Sequence, residues 1–256
     1  MSFLLLAQGD PIGKDLLKKL VIARYGFSPP ALETLRIRYR GRSRGKLGPF
    51  PVWARLDATA TYRFPLMMKW EMKVSVLRLF RSSYTTSFDG QTVYEQQGIH
   101  VTRSTAADMV ESARRRAWSE TIFFVSPLIA DRDVRVEGID ARSFRARLSG
   151  YDGDFAIVRL EDDHTLKEIE VERADPQGGE RKIQYIRTRG SLIKVDGLLL
   201  PPLVQRYWGD EMFMELEPVA VELNPQLTPD DFVLREDEDA PASQEETTEE
   251  EAEAGE

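Results

Sequence analysis

Apolar and polar residues alternate with a period of two through most of this chain, and no other feature constrains its fold as strongly. Leu35, Ile37 and Tyr39 alternate with arginines, for example. Similar runs follow at 52–62, 68–76, 83–88, 92–96, 134–137, 143–149, 155–161, 166–172 and 182–189, with two more inside 203–221. Because successive side chains of a strand point to opposite faces, each run is typical of a strand that is buried on one side.

The segments between these runs are short and rich in turn residues. Asp89-Gly90 separates two of the runs and is a strong signal for a two-residue hairpin. Strands joined by short turns favour antiparallel neighbours, and no internal repeat or linker divides residues 12–234. We therefore predict one mainly β (α+β) domain that is built on an antiparallel sheet.

Two helices are predicted beside the strands. Asp10 and Pro11 suit the start of a helix over 12–25, and Gly26 is well placed to end it. A second apolar stripe with helical spacing runs over 106–118. The domain is thus expected to pair a sheet with a small number of helices.

Both ends of the chain differ from its middle. Residues 1–11 hold a short apolar run and then a polar break, which fits either the remnant of a signal peptide or an arm that packs on the domain. If the true start lies upstream of Met1, the bacterial cell envelope or periplasm is predicted; otherwise the prediction is cytoplasmic. Residues 235–256 are predicted to be a disordered acidic tail, because no aromatic residue there offsets the entropy of ordering.

The acidic tail hides the charge of the domain. The chain carries a formal charge of −8, but eleven acidic and no basic residues lie from Glu236 onward. Of 43 acidic side chains in total, 32 therefore remain in the body, against 35 basic ones, which gives a formal charge of +3. The tail is predicted to fold back on this slightly basic body.

The residue types that most catalytic and metal sites need are scarce. The chain has no cysteine and two histidines, which excludes disulfides, thiolate chemistry and a histidine-rich metal centre. The common phosphate-binding, dinucleotide-binding and hydrolase motifs are absent. The one carboxylate–imidazole cluster, at 161–164, lies between two predicted strands and is typical of a turn. We predict no enzyme activity, no cofactor, no catalytic residue and no metal ligand.

The C-terminal part of the chain carries a family resemblance. Residues 194–202 read Lys-Val-Asp-Gly-Leu-Leu-Leu-Pro-Pro, and two further strand runs lead to Asn224-Pro225 and Asp231-Phe232. This segment resembles the closing strands of the LolA/LolB-like lipoprotein-localisation superfamily, and the order of elements over 12–234 fits the same plan. The resemblance implies an incomplete, strongly curved antiparallel barrel whose open side is covered by helices. It also implies a lipid, an acyl chain or a lipoprotein as the bound partner.

A methionine- and tryptophan-rich face offers a site for such a ligand. Adaptable, polarizable side chains of this kind suit an irregular acyl chain. The residues predicted to line the hollow are Tyr62, Met68, Trp70, Met72, Val74, Val76, Met109 and Trp118. The alternative is that these residues only fill the core between sheet and helix.

Arginines form the sharpest charge feature. Arg36, Arg38 and Arg40 would stand in a row about 6.5–7 Å apart on one face of a strand. Such a row can contact an anionic membrane surface, or it can be a solvated outer face that acidic neighbours balance. Nucleic acid is not a predicted partner, because no aromatic platform or reading module accompanies the arginines.

Two functions are consistent with these features. The first is a non-enzymatic protein that carries or senses a lipid or an acylated, lipoprotein-like ligand in an apolar hollow. The second is a structural or protein-interaction module with a fully packed core and an arginine-rich contact face. An apolar cavity that is large enough for an acyl chain and open to solvent would distinguish the two, and a Trp70 face that side chains close at normal core density would contradict the first. No oligomeric state is predicted.

Overall fold

The structure is a computed structural model, and it describes residues 7–47, 50–76, 80–151, 153–174 and 180–236. Residues 1–6 of the predicted arm and residues 237–256 of the predicted tail lie outside these ranges. The helices of the described part are α1 (Pro11–Tyr25), α2 (Ala107–Phe124) and α3 (Ser126–Ala130), with a short 3-10 helix at Pro229–Phe232.

Strands account for most of the described chain. In chain order they are β1 (Gln8–Gly9), β2 (Thr34–Leu47), β3 (Phe50–Arg63), β4 (Met67–Val76), β5 (Phe80–Phe88), β6 (Val93–Gln97), β7 (His100–Ser104), β8 (Val134–Asp140), β9 (Ser143–Leu148), β10 (Phe155–Leu160), β11 (Leu166–Ala174), β12 (Arg181–Arg189), β13 (Ile193–Val195), β14 (Leu198–Leu200), β15 (Leu203–Trp208) and β16 (Glu211–Leu223).

Fourteen of these strands form one sheet, in the order β1-β8-β9-β10-β11-β12-β15-β16-β2-β3-β4-β5-β6-β7. Neighbouring strands in this sheet are antiparallel, except for β1 and β8, which are parallel. Within the described residues, β1 and β7 remain at its two edges, so the sheet is curved but not closed into a barrel. β13 and β14 form a separate hairpin. The predicted fold class is confirmed.

β15 and β16 join the two halves of the sheet. The first half is β2–β7, and the second half is β8–β12. β16 pairs with β15 on one side and with β2 on the other, and β15 pairs with β12. A β-bulge between Pro218 and Ala220 accommodates a proline, which cannot donate a ladder hydrogen bond.

α1 begins and ends where its sequence predicts. One carboxylate oxygen of Asp10 accepts the backbone N–H of Gly13 at 2.8 Å and caps the helix. The other oxygen accepts the N–H of Gly138 in β8 at 2.8 Å, so the cap also fastens α1 to the sheet. Gly26, with φ +65°, ends the helix. The neighbouring strand β1 is part of the predicted arm, and in the structure it extends the sheet beyond β8.

The helices and the inner face of the sheet enclose the core. Trp70 of β4, Phe88 of β5 and Phe144 of β9 are fully buried, as are Trp118 and Phe124 of α2. Each such side chain contributes about 1.5–3 kcal/mol through burial. The indole N–H of Trp118 donates to the carbonyl oxygen of Ala146 at 3.1 Å, which fixes α2 against β9. None of the described helices has the length and apolar content that a membrane span requires.

Candidate functional site

The structure places the eight predicted ligand-binding residues in three environments. Four are buried, with at most 3% of each residue exposed: Tyr62, Met68, Trp70 and Trp118. Three are half-buried, namely Met72, Val74 and Val76. Met109 is 38% exposed near the start of α2. The inner face is therefore closed around Trp70 and becomes more open along β4 toward Val76.

Polar side chains that the sequence analysis did not single out surround Trp70. Glu120 of α2 and Arg206 of β15 are buried, with 1% and 4% exposed. Arg206 donates two hydrogen bonds to this carboxylate, from Nη1 to Oε1 at 2.6 Å and from Nη2 to Oε2 at 3.0 Å. The hydroxyl of Tyr62 donates to Oε2 at 3.2 Å. Hydrogen bonds between two charged groups are shorter and stronger than neutral ones, and the two-point contact also fixes the orientation of both side chains.

A second arginine approaches the same indole ring. The guanidinium of Arg206 lies 4.9 Å from the centre of the Trp70 ring, and that of Arg116 lies 5.4 Å from it. Tyr39 stacks in parallel on Trp70, with 5.8 Å between ring centres. We call Tyr62, Trp70, Arg116, Glu120 and Arg206 the buried polar cluster, in which Arg116 is half-buried and the other four are buried. It holds two guanidinium groups and one carboxylate, so its net charge is positive.

Burial shifts the pKa values in this cluster. Loss of hydration lowers the pKa of Arg116, and repulsion from Arg206 lowers it further. Loss of hydration also acts to lower the pKa of Arg206, but the charge and hydrogen bonds of Glu120 outweigh it, and the pKa is raised. The pKa of Tyr62 is raised, first by burial and then by Glu120. The raised pKa values keep Arg206 charged and Tyr62 neutral at neutral pH. Arg116 is also charged, because guanidinium groups are effectively always protonated in proteins.

The buried polar cluster has more donors than acceptors. The indole Nε1 of Trp70 and the Nε of Arg206 are buried, and neither has a hydrogen-bond partner in the described part of the chain. A buried donor without a partner costs about 1–3 kcal/mol. Unpaired donors beside a net positive charge are suited to an acceptor oxygen from outside the chain.

An apolar strip leads away from the cluster. It consists of Met72, Val74 and Val76, which share the face of Trp70 on β4. A small and a large residue flank each of its first two members: Ala58 and Tyr84 pair with Met72, and Ser82 and Leu56 pair with Val74. The strip is thus a half-buried apolar stretch on the inner face of the sheet.

α2 covers this face unevenly. On the β9–β12 side, Arg115 Nε is 2.8 Å from Asp154 Oδ1, and Arg181 Nη2 is 2.8 Å from Glu111 Oε1. On the β4–β5 side, Arg116 Nη1 reaches Thr86 Oγ1 at 3.4 Å. The helix is held more firmly on the side away from the apolar strip.

The predicted arginine row lies on the outer face of β2. Arg36 pairs with Glu222 at 2.7 Å, and Arg40 lies 3.9 Å from Asp57. Arg38 is exposed, and no carboxylate of the described residues forms an ion pair with it. Acids on the neighbouring strands β16 and β3 thus balance much of the row, and contact with an anionic membrane stays a prediction.

One signal for the missed residues was present in the sequence. Val204, Arg206 and Trp208 share a strand face, so an arginine occupies a position where the alternation expects an apolar residue. Arg116 and Glu120 are one helical turn apart in a segment that otherwise becomes apolar. Neither pattern by itself identifies the partner, because the paired side chains come from distant parts of the chain.

Residues 21–215 match the model of a family described as a "Family of unknown function (DUF6544)". The chain belongs to family DUF6544. A comparison of this DUF6544 protein with curated protein sequences found no match.

Several solved structures are similar in fold. A LolA superfamily protein from Nitrosomonas europaea is 10% identical, with a TM-score of 0.47 over 87% of this chain and 97% of its own. A DUF1329 family protein from Desulfovibrio piger is 9% identical, with a TM-score of 0.48 over 88% and 98%. An outer membrane lipoprotein-sorting protein domain from Vibrio parahaemolyticus is 10% identical, with a TM-score of 0.46 over 86% and 95%. The predicted LolA-like resemblance is confirmed as a likeness of fold.

Proposed function

We propose that this DUF6544 protein is a non-enzymatic binding protein that carries or senses a lipid or an acylated, lipoprotein-like ligand. The acyl chain lies along the apolar strip, and a carbonyl or head-group oxygen meets the buried polar cluster. A location in the bacterial cell envelope and a lipoprotein partner belong to the same proposal.

One observation carries the proposal. Within the described ranges, two buried donors, Trp70 Nε1 and Arg206 Nε, lack hydrogen-bond partners, and they lie at the inner end of a half-open apolar strip. Mostly apolar walls with a few converging polar groups are typical of small-molecule sites. The weaker attachment of α2 on the β4–β5 side gives the ligand a way in, with Met109 at the exposed end of the helix.

Fluorescence quenching tests this proposal. The chain has four tryptophans, so Trp53→Phe together with Trp208→Phe leaves Trp70 and Trp118 as inner reporters. The probe is methyl dibromostearate, an uncharged ester whose bromines quench an indole that they touch. We expect saturable quenching, and about tenfold weaker binding or more when Val74→Glu places a charge in the strip.

Ser75→Glu is the matched control. It adds the same charge one residue further along β4, on the opposite face, and is expected to leave the quenching curve unchanged. The unfolding midpoint of each variant is measured beside it. Equal quenching in Val74→Glu and Ser75→Glu would contradict the proposal.

A protein-interaction module is the second candidate. The full burial of Tyr62, Met68, Trp70 and Trp118 favours it, because a packed core needs no ligand. Under this alternative the ester quenches neither Trp70 nor Trp118 in the protein that carries Trp53→Phe and Trp208→Phe.

A further inference from the structure

A separate pocket lies beside β12, away from the strand that carries Val76. Thr188 of β12 lines this pocket, and in the order of the sheet β12 is five strands away from β4. The pocket has a volume of about 400 Å³, within the range of small-molecule sites. Its walls include Arg24, Thr165, Leu166, Thr188, Ser191 and Leu192.

Arg24 is the one charged group of this pocket that is buried, among the residues that the structure describes there. It lies in the last turn of α1 and is 3% exposed. Its Nε donates to the carbonyl oxygen of Leu199 at 3.0 Å, and its Nη1 donates to that of Phe123. Its Nη2 is buried and has no hydrogen-bond partner in the described ranges.

The charge of Arg24 has no counter-charge in the described protein. Its neighbours are two carbonyl groups and two aromatic rings, those of Tyr25 at 5.2 Å and Phe123 at 5.4 Å. None of the ion pairs in the described part of the chain includes it. Loss of hydration lowers the pKa of its guanidinium. The negative end of α1 and the rings offset part of this cost, but a buried charge is stable chiefly when it is paired.

We propose that this pocket binds a carboxylate or phosphate oxyanion with an apolar body, and that Arg24 Nη2 is its principal donor. Ser191 also lines the pocket, and Leu166 and Leu192 supply apolar walls. The hydroxyl groups of Thr165 and Thr188 line it too, but they donate to Asp163 Oδ1 and to the carbonyl oxygen of Leu166. Ser191 is exposed and marks the mouth. This site is distinct from the apolar strip. The proposal for this pocket can therefore be tested independently of the proposed function.

Asp163 sets the charge that the pocket accepts. It is exposed and lines the mouth, and its carboxylate accepts the hydroxyl and the backbone N–H of Thr165 at 2.6 and 3.0 Å. These hydrogen bonds lower its pKa, so it is negatively charged at neutral pH. A carboxylate at the mouth disfavours a polyanion and tolerates a single small oxyanion that reaches Arg24 inside.

Calorimetric titration of the full chain tests the site with three ten-carbon probes: decyl phosphate, decanoate and the neutral decanol. We expect binding of the two anions and about tenfold weaker binding or none for decanol, since only an oxyanion pairs with Arg24. Inorganic phosphate is titrated as a fourth probe. If inorganic phosphate binds as well as decyl phosphate, the occupant is a free anion. If binding requires the ten-carbon chain, the occupant is an amphiphile.

Variants locate the binding. Arg24→Met is expected to weaken decyl phosphate binding by about tenfold to a hundredfold. Lys194→Met is the matched control, because it removes the same charge from an exposed position on the neighbouring strand β13 and should bind as the parent does. Asp163→Asn is expected to tighten binding by a few-fold at low salt.

Leu192→Trp keeps Arg24 and fills part of the pocket. If Arg24→Met does not fold, this variant shows whether decyl phosphate binds in the pocket. It should lose decyl phosphate binding while it unfolds cooperatively. Unchanged affinity in Leu192→Trp, or equal binding of decanol and decanoate by the parent, would overturn the proposal.

Discussion

Arg206 in β15 and Arg24 in α1 are both buried, with 4% and 3% exposed. Arg206 faces the carboxylate of Glu120, which accepts two of its N–H groups, and its pKa is raised. Arg24 faces carbonyl groups and aromatic rings, and its pKa is lowered by lost hydration. The core therefore compensates one charge with its own residues, whereas no residue that the structure describes supplies a counter-charge for the other. That difference is the reason why we assign an oxyanion from outside the chain to Arg24.

Removing Arg206 is expected to have the largest effect. Arg206→Met leaves Glu120 buried without its cation, which should lower the free energy of unfolding by about 3–5 kcal/mol. Urea unfolding measures the change. The double variant Glu120→Leu with Arg206→Met removes both charges and should lose less than Arg206→Met alone. A larger loss in the double variant would show that the ion pair is not what stabilises this part of the core.

Removing Arg24 is expected to cost less. Arg24→Met loses two hydrogen bonds to carbonyl groups but leaves no carboxylate behind, so the free energy of unfolding should fall by about 1–2 kcal/mol. Urea unfolding under the same conditions gives the value. A loss as large as that of Arg206→Met would contradict the comparison, because it would mean that Arg24 has a counter-charge in the folded chain.

The smallest effects are expected at two tyrosines, and they have opposite signs. Burial raises the pKa of Tyr25, and the charge of Arg24 lowers it, so Arg24→Met should raise it further. Burial and Glu120 both raise the pKa of Tyr62, so Glu120→Gln should lower it. Titration of tyrosines labelled with ¹³C at the ring carbon that bears the hydroxyl, followed by NMR, resolves the two. Shifts of the same sign would contradict the assigned charges.

The same tyrosines determine how the free energy of unfolding changes at alkaline pH. Their folded-state pKa values lie above the usual value of about 10 for tyrosine, so the fold favours the neutral phenol. The stability that they contribute is complete below about pH 10 and is lost as the pH rises above it. The free energy of unfolding should therefore decrease through that range.

The fold was predictable because strand periodicity is a local property. Leu35, Ile37 and Tyr39 lie on the buried face of β2, as their alternation with arginines requires. Asp89-Gly90 marks the connection between β5 and β6, which spans residues 89–92 and is thus two residues longer than the predicted turn. The helix over 12–25 also follows from local signals, since Asp10 and Gly26 define its ends. Each of these features depends on neighbours within a few residues.

The candidate sites depend on distant neighbours and were not predictable in the same way. The alternation of β4 correctly turns Trp70 inward, but it cannot show that Glu120 and Arg206, 86 residues apart, fill the space beside it. Likewise, Arg24 follows the buried Leu20 by one helical turn, which places it on the buried face of α1. The neighbours that it has among the described residues are carbonyl groups of Phe123 and Leu199, 99 and 175 residues away, and not a carboxylate.

The position of β15 and β16 between the two halves of the sheet has a consequence for synthesis of the chain. Arg36 in β2 and Glu222 in β16 are 186 residues apart, although they are neighbours in the sheet. At about 5–20 residues per second, β2 leaves the ribosome roughly 10–40 s before its partner strand. During that interval its hydrogen-bonding edge is unpaired and can pair with other chains. Nascent chains should therefore be most prone to aggregate just before β16 emerges. Pairing of β16 with β2 should end that period.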